Sequence, residues 1–276
     1  MMTLIESYIY SETLMRDVSV SVLLPLPSIT NAEYGEGVGL PSDDHKYQTL
    51  WLVHSATGDH TKFIRGSRIE AFSRANKMAV VMMGVDNSFG CNVPNIGNYF
   101  DYITEELPKT LQAIYPLSDR REDNFIGGTS MGGFAAFMAS LRKPEKYAAA
   151  FSISGALAIE ELEKIESVRP WYINVTNALF GENRQYYNPH EHDLQTMAED
   201  LLQSNKEQPA LYACCGTEDM YYRAGYDVIQ ALRAKGLNVT YEEGPGAHDW
   251  DYWDPQLGHI MRNWLPKKGD LVHFKK

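Results

Sequence analysis

A serine flanked by glycines stands out at residues 128–132, where Gly-Thr-Ser-Met-Gly fits the pattern G-x-S-x-G. In that pattern the serine occupies a sharp turn between a strand and a helix, which exposes its hydroxyl above a sheet. A short apolar run precedes the motif and a helical pattern follows it. We therefore predict that Ser130 is a nucleophile and that the backbone N–H of Met131 faces the developing oxyanion. The alternative is a glycine-rich turn whose serine only caps a helix.

A serine hydroxyl needs a general base, and the base needs a carboxylate that orients it. With G-x-S-x-G, the order along the chain is serine, acid, histidine. One later strand-like run is followed by Gly-Thr-Glu-Asp, and the next is followed by Gly-Pro-Gly-Ala-His. We predict that Asp219 orients the base and that His248 is the base, with Glu218 as the competing carboxylate. A capping aspartate and a surface histidine are the alternatives.

Other histidines have weaker placements. His54 ends a predicted strand, where it is placed to line a pocket. His190 and His192 have a spacing that metal ligands also use, but the polar sequence around them favours a loop or a helix start. We expect no metal ion at this pair.

Three cysteines are too few for a disulfide scaffold. Cys214 and Cys215 are adjacent, Cys91 stands alone, and no C-x-x-C motif occurs. Buried thiols in an apolar core are the expected role. The predicted chemistry also requires no organic cofactor.

Strands and helices alternate along the chain, as in βαβ units with a mostly parallel sheet. The predicted strands are residues 3–10, 18–24, 50–53, 78–85, 124–126, 147–152, 209–214 and 239–243. The predicted helices are residues 63–76, 98–115, 131–141, 225–235 and 255–264. The first two strands lack a helix between them, which predicts an antiparallel edge. Residues 25–44, rich in Pro, Gly, Ser and Asp, are predicted as a loop.

Residues 156–208 interrupt this alternation and are predicted to form an insertion over the sheet. Helical patterns occur at 159–167 and 195–204, around an aromatic, Asn-rich middle. The aromatic side chains there could wall a pocket or pack the insertion onto the sheet, and the sequence leaves both open. They are Trp171, Tyr172, Phe180, Tyr186 and Tyr187.

The chain is acidic, with a formal net charge of −11 over 276 residues. Residues 156–208 carry −6 of that charge. Nucleic acids and anionic membranes bind clustered cations, so neither is an expected partner, and a neutral small-molecule or carbohydrate ester is. No signal peptide or membrane-spanning run is evident, so a cytoplasmic protein is expected. The sequence is compatible with a monomer or a homo-oligomer.

Four stretches resemble a known family: HSATGDH, GGTSMGGFAAF, CCGTEDMYY and GPGAHDWDYWDPQL. Together they are similar to the esterase D group of α/β-hydrolases, nearest the bacterial tributyrin-esterase branch. The resemblance implies one α/β-hydrolase domain over residues 1–276, with a mostly parallel central sheet, helices on both faces and an inserted helical, cap-like segment at about 156–208. It also implies that the N–H of Ala56 is the second oxyanion donor. Ser55 departs from the glycine usual in that loop.

The expected function is that of a serine carboxylesterase for short-chain acyl esters, with acetylated carbohydrates as candidate substrates. A feruloyl- or cinnamoyl-type esterase is the alternative enzyme. The S-formylglutathione hydrolase branch is less favoured, because its cysteine-bearing loop motif is absent here. A catalytically silent α/β-hydrolase that acts as a binding protein is the alternative of another class.

Overall fold

The computed structural model describes residues 2–26, 46–165 and 169–268. An eight-stranded sheet and a small two-stranded ribbon occur in this part of the chain. The strands are β1 (Met2–Ser11), β2 (Arg16–Pro25), β3 (Thr49–Val53), β4 (Ala79–Met83), β5 (Asn92–Val93), β6 (Gly97–Asn98), β7 (Asn124–Thr129), β8 (Ala149–Ile153), β9 (Ala210–Gly216) and β10 (Val239–Gly244). The predicted loop at 25–44 lies mostly outside the described residues.

The large sheet has the order β1-β2-β4-β3-β7-β8-β9-β10. β1 pairs with β2, and β2 with β4, in antiparallel fashion, whereas every pairing from β4 to β10 is parallel. The antiparallel edge and the mostly parallel sheet are therefore confirmed. Because the parallel strands run in one direction, the loops after β3, β7, β9 and β10 meet at one edge of the sheet.

Helices cover both faces of this sheet. They are α1 (Lys62–Gly66), α2 (Ile69–Asn76), α3 (Tyr99–Asp101), α4 (Leu107–Ile114), α5 (Met131–Arg142), α6 (Arg169–Phe180), α7 (Pro189–His192), α8 (Leu194–Gln203), α9 (Tyr222–Lys235) and α10 (Trp250–His259). π-helical turns at Tyr102–Glu106 and Ile260–Trp264 join α3 to α4 and extend α10, and 3₁₀ turns occupy Arg121–Asp123 and Ile159–Lys164. In the described ranges, no helix is both long and apolar enough to cross a membrane.

Strand β3 shows how the two cores are divided. Leu50 and Leu52 lie in the core under α1, α2 and α10, whereas Trp51 and Val53 lie in the core under α5, α8 and α9. Successive side chains of a strand point to opposite faces, so a strand that is covered on both sides is apolar throughout. This explains the unbroken Leu-Trp-Leu-Val run.

The single helix predicted over residues 63–76 is wrong, because the structure has two helices there. The ring of Trp250 lies against Gly66, where a Cβ would be only 2.2 Å from a ring carbon. The backbone N–H of Arg68 donates to Asp254 Oδ1 at 2.7 Å instead of continuing the helix. The break between α1 and α2 is therefore imposed by contacts with α10, which local periodicity does not report.

The final helix begins five residues before the predicted start at Pro255. Asp249 caps it, and its carboxylate accepts hydrogen bonds from the N–H groups of Asp251 and Tyr252. Pro255 instead lies inside α10.

The region 156–208 contains two different kinds of helix. Helix α8, close to the predicted 195–204, packs beside α5 and α9 and is the crossover helix between β8 and β9. The pattern at 159–167 forms only a 3₁₀ turn in its described part, and residues 166–168 lie outside the description. Helix α6 was not predicted, and its first turn reaches the edge of the sheet where the strand-end loops meet. That edge holds the candidate site.

Candidate active site

Three side chains from three strand-end loops form a continuous hydrogen-bonded chain. His248 Nδ1 lies 2.8 Å from Asp219 Oδ2, and His248 Nε2 lies 3.0 Å from Ser130 Oγ. A carboxylate only accepts, so the proton resides on Nδ1 and leaves Nε2 free to accept the serine proton. The structure thus brings together the three residues predicted as nucleophile, base and orienting acid.

The serine is held at a tight turn between β7 and α5. Ser130 has φ of 55° and ψ of −118°, which is an unusual backbone conformation for a residue with a side chain. Its N–H donates to Ile153 O at 3.0 Å. A Cβ on Gly132 would lie 2.0 Å from the backbone oxygen of Val53, so only glycine lets α5 approach β3 this closely. The turn is therefore fixed from both sides by the sheet.

The acid lies in the loop that follows β9. The side chain of Asp219 is fully shielded from solvent, and its second oxygen accepts the N–H of Tyr221 at 2.8 Å. Glu218, the competing carboxylate, points elsewhere and accepts the backbone N–H of Gly246. Of these two acids, Asp219 is therefore the one that contacts the imidazole.

The histidine lies in the loop after β10, between two aromatic rings. Tyr221 and Trp253 contact the His248 ring edge-on, with centroids 4.8 Å and 4.9 Å away. Gly246 has φ of 148° and leaves room for Tyr252, whose ring would lie 2.4 Å from a Cβ at that position. This packing and the bond to Asp219 hold the imidazole in one orientation.

The loop after β3 is held by a buried histidine. His54 Nδ1 lies 2.8 Å from Ser55 O, and His54 Nε2 lies 3.1 Å from the Val85 N–H. Because Ser55 O can only accept and the Val85 N–H can only donate, the ring proton resides on Nδ1. Burial lowers the pKa of His54 below its ordinary value. His54 is 1% exposed and supports the loop, so its predicted place as a pocket-lining residue is wrong.

The two predicted oxyanion donors come from two segments, Ala56 from this loop and Met131 from the residue after the serine. Ala56 and Ser130 line one cleft, and Met131 begins α5, where backbone N–H groups have no partner within the helix. Thr57 has φ of 61° and its N–H donates to Asn87 Oδ1 at 2.8 Å. Ser55 is not among the described residues with positive φ, so its backbone there does not require glycine.

The cleft has a volume of about 480 Å³, and five Trp and Tyr side chains are among its lining residues. The residues that line it are Ser55, Ala56, Thr57, Lys62, Ser130, Trp171, Tyr172, Met220, Tyr221, His248, Asp249, Trp250 and Trp253.

The aromatic residues of 156–208 have both of the roles that the sequence left open, since some line the cleft and others pack inside the protein. Trp171 and Tyr172 line the cleft, whereas Phe180 is buried against Tyr187. Tyr186 is exposed.

The pair His190 and His192 is a helix start, as the sequence favoured. Asn188 caps the short helix α7, and the buried His192 Nδ1 accepts the N–H of Asn188 at 3.0 Å. His190 instead faces Asp200. No group of three potential metal ligands occurs among the described residues.

The three cysteines are free and buried, as expected. Burial raises the pKa of the Cys214 and Cys215 thiols, which keeps both protonated at neutral pH. Cys214 and Cys215 lie within β9 and take no part in the hydrogen-bonded chain of Ser130, His248 and Asp219.

The residues that support the three side chains were not predicted from the sequence. Tyr221 binds Asp219 through its N–H, contacts the ring of His248, and hydrogen-bonds through its hydroxyl to Tyr172 of α6. Trp253 contacts the opposite edge of the imidazole. The aromatic residues that follow the acid and the histidine in the sequence were the available signal, but nothing in a single sequence separates supporting aromatics from core aromatics.

The sheet order, the helices on both faces and the serine at a strand–helix turn define an α/β-hydrolase fold. The family model described as "Putative esterase" matches residues 11–263. The chain belongs to this family, and it is a carboxylic ester hydrolase.

Individual relatives agree with this assignment. An acetyl esterase of Caldicellulosiruptor saccharolyticus is 26% identical over 98% of this chain and 100% of its own length. Among solved structures, the fluorophosphonate-binding serine hydrolase F of Staphylococcus aureus is similar with a TM-score of 0.82, at 29% identity over 96% of this chain and 98% of that one. An S-formylglutathione hydrolase of Staphylococcus aureus is similar with a TM-score of 0.81, at 29% identity over 96% and 99%. These likenesses agree with membership of the esterase D group.

We predict that His54 makes the fold sensitive to mild acid. Below pH 6.5 the unfolded chain protonates this histidine while the folded chain does not, so the unfolding free energy falls as pH falls toward the lowered folded pKa. One such histidine changes the unfolding free energy by at most about 1.4 kcal/mol per pH unit. Denaturant unfolding of wild type and His54→Asn at pH 8.0, 6.5 and 5.5 measures it.

His54→Asn keeps a donor near the Nδ1 position but loses the acceptor for Val85, so we expect a loss of about 1–3 kcal/mol at pH 8. The difference in unfolding free energy between wild type and His54→Asn should become smaller as the pH falls. Only wild type has the histidine whose protonation favours the unfolded chain. Two stability curves that stay parallel from pH 8.0 to 5.5 would refute the assignment.

Proposed function

We propose that this protein is a serine carboxylesterase that hydrolyses short-chain acyl esters, with Ser130, His248 and Asp219 as its catalytic triad. The observation that carries the proposal is the hydrogen-bonded chain from Asp219 through His248 to Ser130. It gives the hydroxyl a base at 3.0 Å and gives the base an orienting anion.

In the first half-reaction, Ser130 Oγ forms a bond to the ester carbonyl carbon while its proton moves to His248 Nε2. The carbonyl oxygen becomes an oxyanion, and Asp219 stabilises the imidazolium that results. The tetrahedral intermediate then collapses. The bond to the alcohol oxygen breaks, and that oxygen takes the proton from Nε2, which leaves an acyl group on Ser130.

The oxyanion is stabilised by fixed backbone donors. The N–H of Met131 and the N–H of Ala56 are the proposed pair, one from the start of α5 and one from the loop after β3. A single donor of this kind contributes about 3–4 kcal/mol to the transition state. His54 acts indirectly, because its two hydrogen bonds hold the loop that carries Ala56.

In the second half-reaction, water replaces the alcohol. His248 Nε2 takes a proton from the water as its oxygen attacks the acyl carbon, and the acid is released when Ser130 Oγ regains the proton. Every proton moves between groups already in the site, so this route requires no metal ion or organic cofactor.

The shape of the cleft supports small acyl groups. Its volume of about 480 Å³ must hold both parts of the ester, and bulky rings occupy its walls. The named activity of the Caldicellulosiruptor relative, acetyl esterase, agrees with a short acyl chain. An acetylated carbohydrate is the proposed alcohol part, since Trp171 and Trp250 offer flat surfaces for a sugar ring.

A feruloyl-type substrate is the second candidate, because Trp171 and Tyr172 could flank an aromatic acyl group.

We also propose that the enzyme works in the cytoplasm, since all three cysteines are free thiols. Its proposed substrate there is a small ester. Its acidic charge disfavours nucleic acid and anionic membranes as partners.

We predict that Ser130→Ala lowers kcat for 4-nitrophenyl acetate by about 10⁴-fold or more, because no other group supplies the nucleophile. The same variant should lose covalent labelling by a fluorophosphonate probe. Ser204→Ala, which alters an exposed serine on the end of α8, is the matched control and should label like wild type. Labelled Ser130→Ala protein with near-normal turnover would disprove the proposal.

We predict that kcat/KM is highest for 4-nitrophenyl acetate or butyrate and falls at least about tenfold for octanoate, because added methylenes overfill the cleft. Methyl ferulate tests the second candidate in the same panel. Turnover of methyl ferulate above that of the short esters would replace the short-chain assignment with the feruloyl one, and an octanoate optimum would contradict both.

A further inference from the structure

A lysine lines the cleft that holds the proposed nucleophile. Lys62, the first residue of α1, lines the same cleft as Ser130 and His248 and is half-buried. Its side chain packs over the loop after β3. A Cβ added to Gly58 would lie only 3.3 Å from Lys62 Cγ, which shows how close the two residues are. The stem of Lys62 therefore lies against the loop that supplies the proposed donor Ala56.

The charged groups near Lys62 in the sequence are already paired, whereas the Lys62 ammonium group has no partner among the residues that the structure describes. Asp59 accepts hydrogen bonds from Thr61 and from Arg65, and His60 lies 3.3 Å from Glu6. No carboxylate forms an ion pair with Lys62 in the portion of the chain that the structure describes. Removing part of an ammonium's water shell without a counterion costs free energy, which an anionic ligand would recover.

The anions of the cleft are engaged elsewhere. Asp249 uses one carboxylate oxygen to accept two backbone N–H groups at the start of α10, where the helix dipole also stabilises its charge. Asp219 is shielded from solvent and bonded to His248. Among the described residues, Lys62 is consequently the cleft-lining charge without an ion-pair or hydrogen-bond partner.

The overall charge of −11 does not oppose an anion at this place. Exposed charges are screened beyond about 8 Å at physiological salt, so acids on the outer surface contribute little inside the cleft. A cation that lines the cleft is screened less, because partly buried charges are less exposed to salt. The local charge therefore decides which small substrates bind.

From these contacts we infer that Lys62 binds a carboxylate carried by the substrate, so that the preferred esters are monoanionic; this inference rests on the proposed esterase function. The carboxylate belongs either to the acyl part, as in a dicarboxylic acid half-ester, or to the alcohol part. An amine substrate would be disfavoured by the same charge.

Two matched substrate pairs test the inference. On the acyl side, 4-nitrophenyl hydrogen glutarate is compared with 4-nitrophenyl butyrate, and on the alcohol side, 4-acetoxybenzoate with 4-acetoxybenzamide. For each pair the ratio of kcat/KM, anionic over neutral, is measured for wild type, Lys62→Met and Lys62→Arg. Methionine keeps the length of the stem without its charge, and arginine keeps the charge.

For at least one pair, Lys62→Met should lower the ratio by about tenfold or more through a higher KM for the anionic ester, as loss of a partly shielded ion pair implies. Lys62→Arg should keep the ratio within about threefold of wild type, and added NaCl should lower the wild-type ratio. The pair that responds identifies the part of the ester that carries the carboxylate.

Ratios that are the same in wild type and Lys62→Met for both pairs would overturn the inference. So would equal losses for anionic and neutral esters, which would mean that Lys62 acts on the oxyanion or on the loop. Either result, together with turnover abolished in Ser130→Ala, leaves the esterase proposal intact. Turnover that persists in Ser130→Ala removes the basis of both.

Discussion

Ser130 has φ of 55° and ψ of −118°, and the features of the site depend on how that backbone conformation is maintained. Such a conformation costs about 1–3 kcal/mol and persists only where the surroundings fix it. Here, the N–H of Ser130 donates to Ile153 at the end of β8, and its carbonyl accepts the N–H of Ala156. The close contact of Gly132 with Val53 holds the other side of the turn against β3. These contacts with the central strands place the Ser130 hydroxyl at the edge of the sheet.

The parallel pairing of the central strands brings the other two residues of the site to the same edge of the sheet. Because β7, β9 and β10 point the same way, the loops that carry Ser130, Asp219 and His248 converge although they lie far apart in the chain. Tyr221 then ties the acid and the base together, since its N–H binds Asp219 and its ring contacts His248. Its hydroxyl bond to Tyr172 connects this arrangement to α6, so the region after β8 contributes to the geometry as well as to the walls of the cleft.

The sequence predicted the features that depend on local pattern. Apolar runs located the strands of the parallel sheet, and G-x-S-x-G with two strand-end loops located the three residues that meet. The features it did not predict depend on contacts between distant segments. Trp250 and Asp254 break the helix after β3, and Asp249 starts α10 before Pro255. The pocket position predicted for His54 is wrong because its burial depends on the partner Val85 on a neighbouring loop.

The central claim is that the anion of Asp219, acting through His248, activates Ser130. Comparing kcat for 4-nitrophenyl acetate in Asp219→Asn and Glu218→Gln tests it most directly, because the two variants remove one charge each from adjacent residues. Asp219→Asn should lower kcat by about 10³- to 10⁴-fold, since the amide favours the wrong imidazole tautomer. Glu218→Gln keeps an acceptor for Gly246 and should lose less than about tenfold. Equal losses in both variants, or a larger loss in Glu218→Gln, would contradict the account.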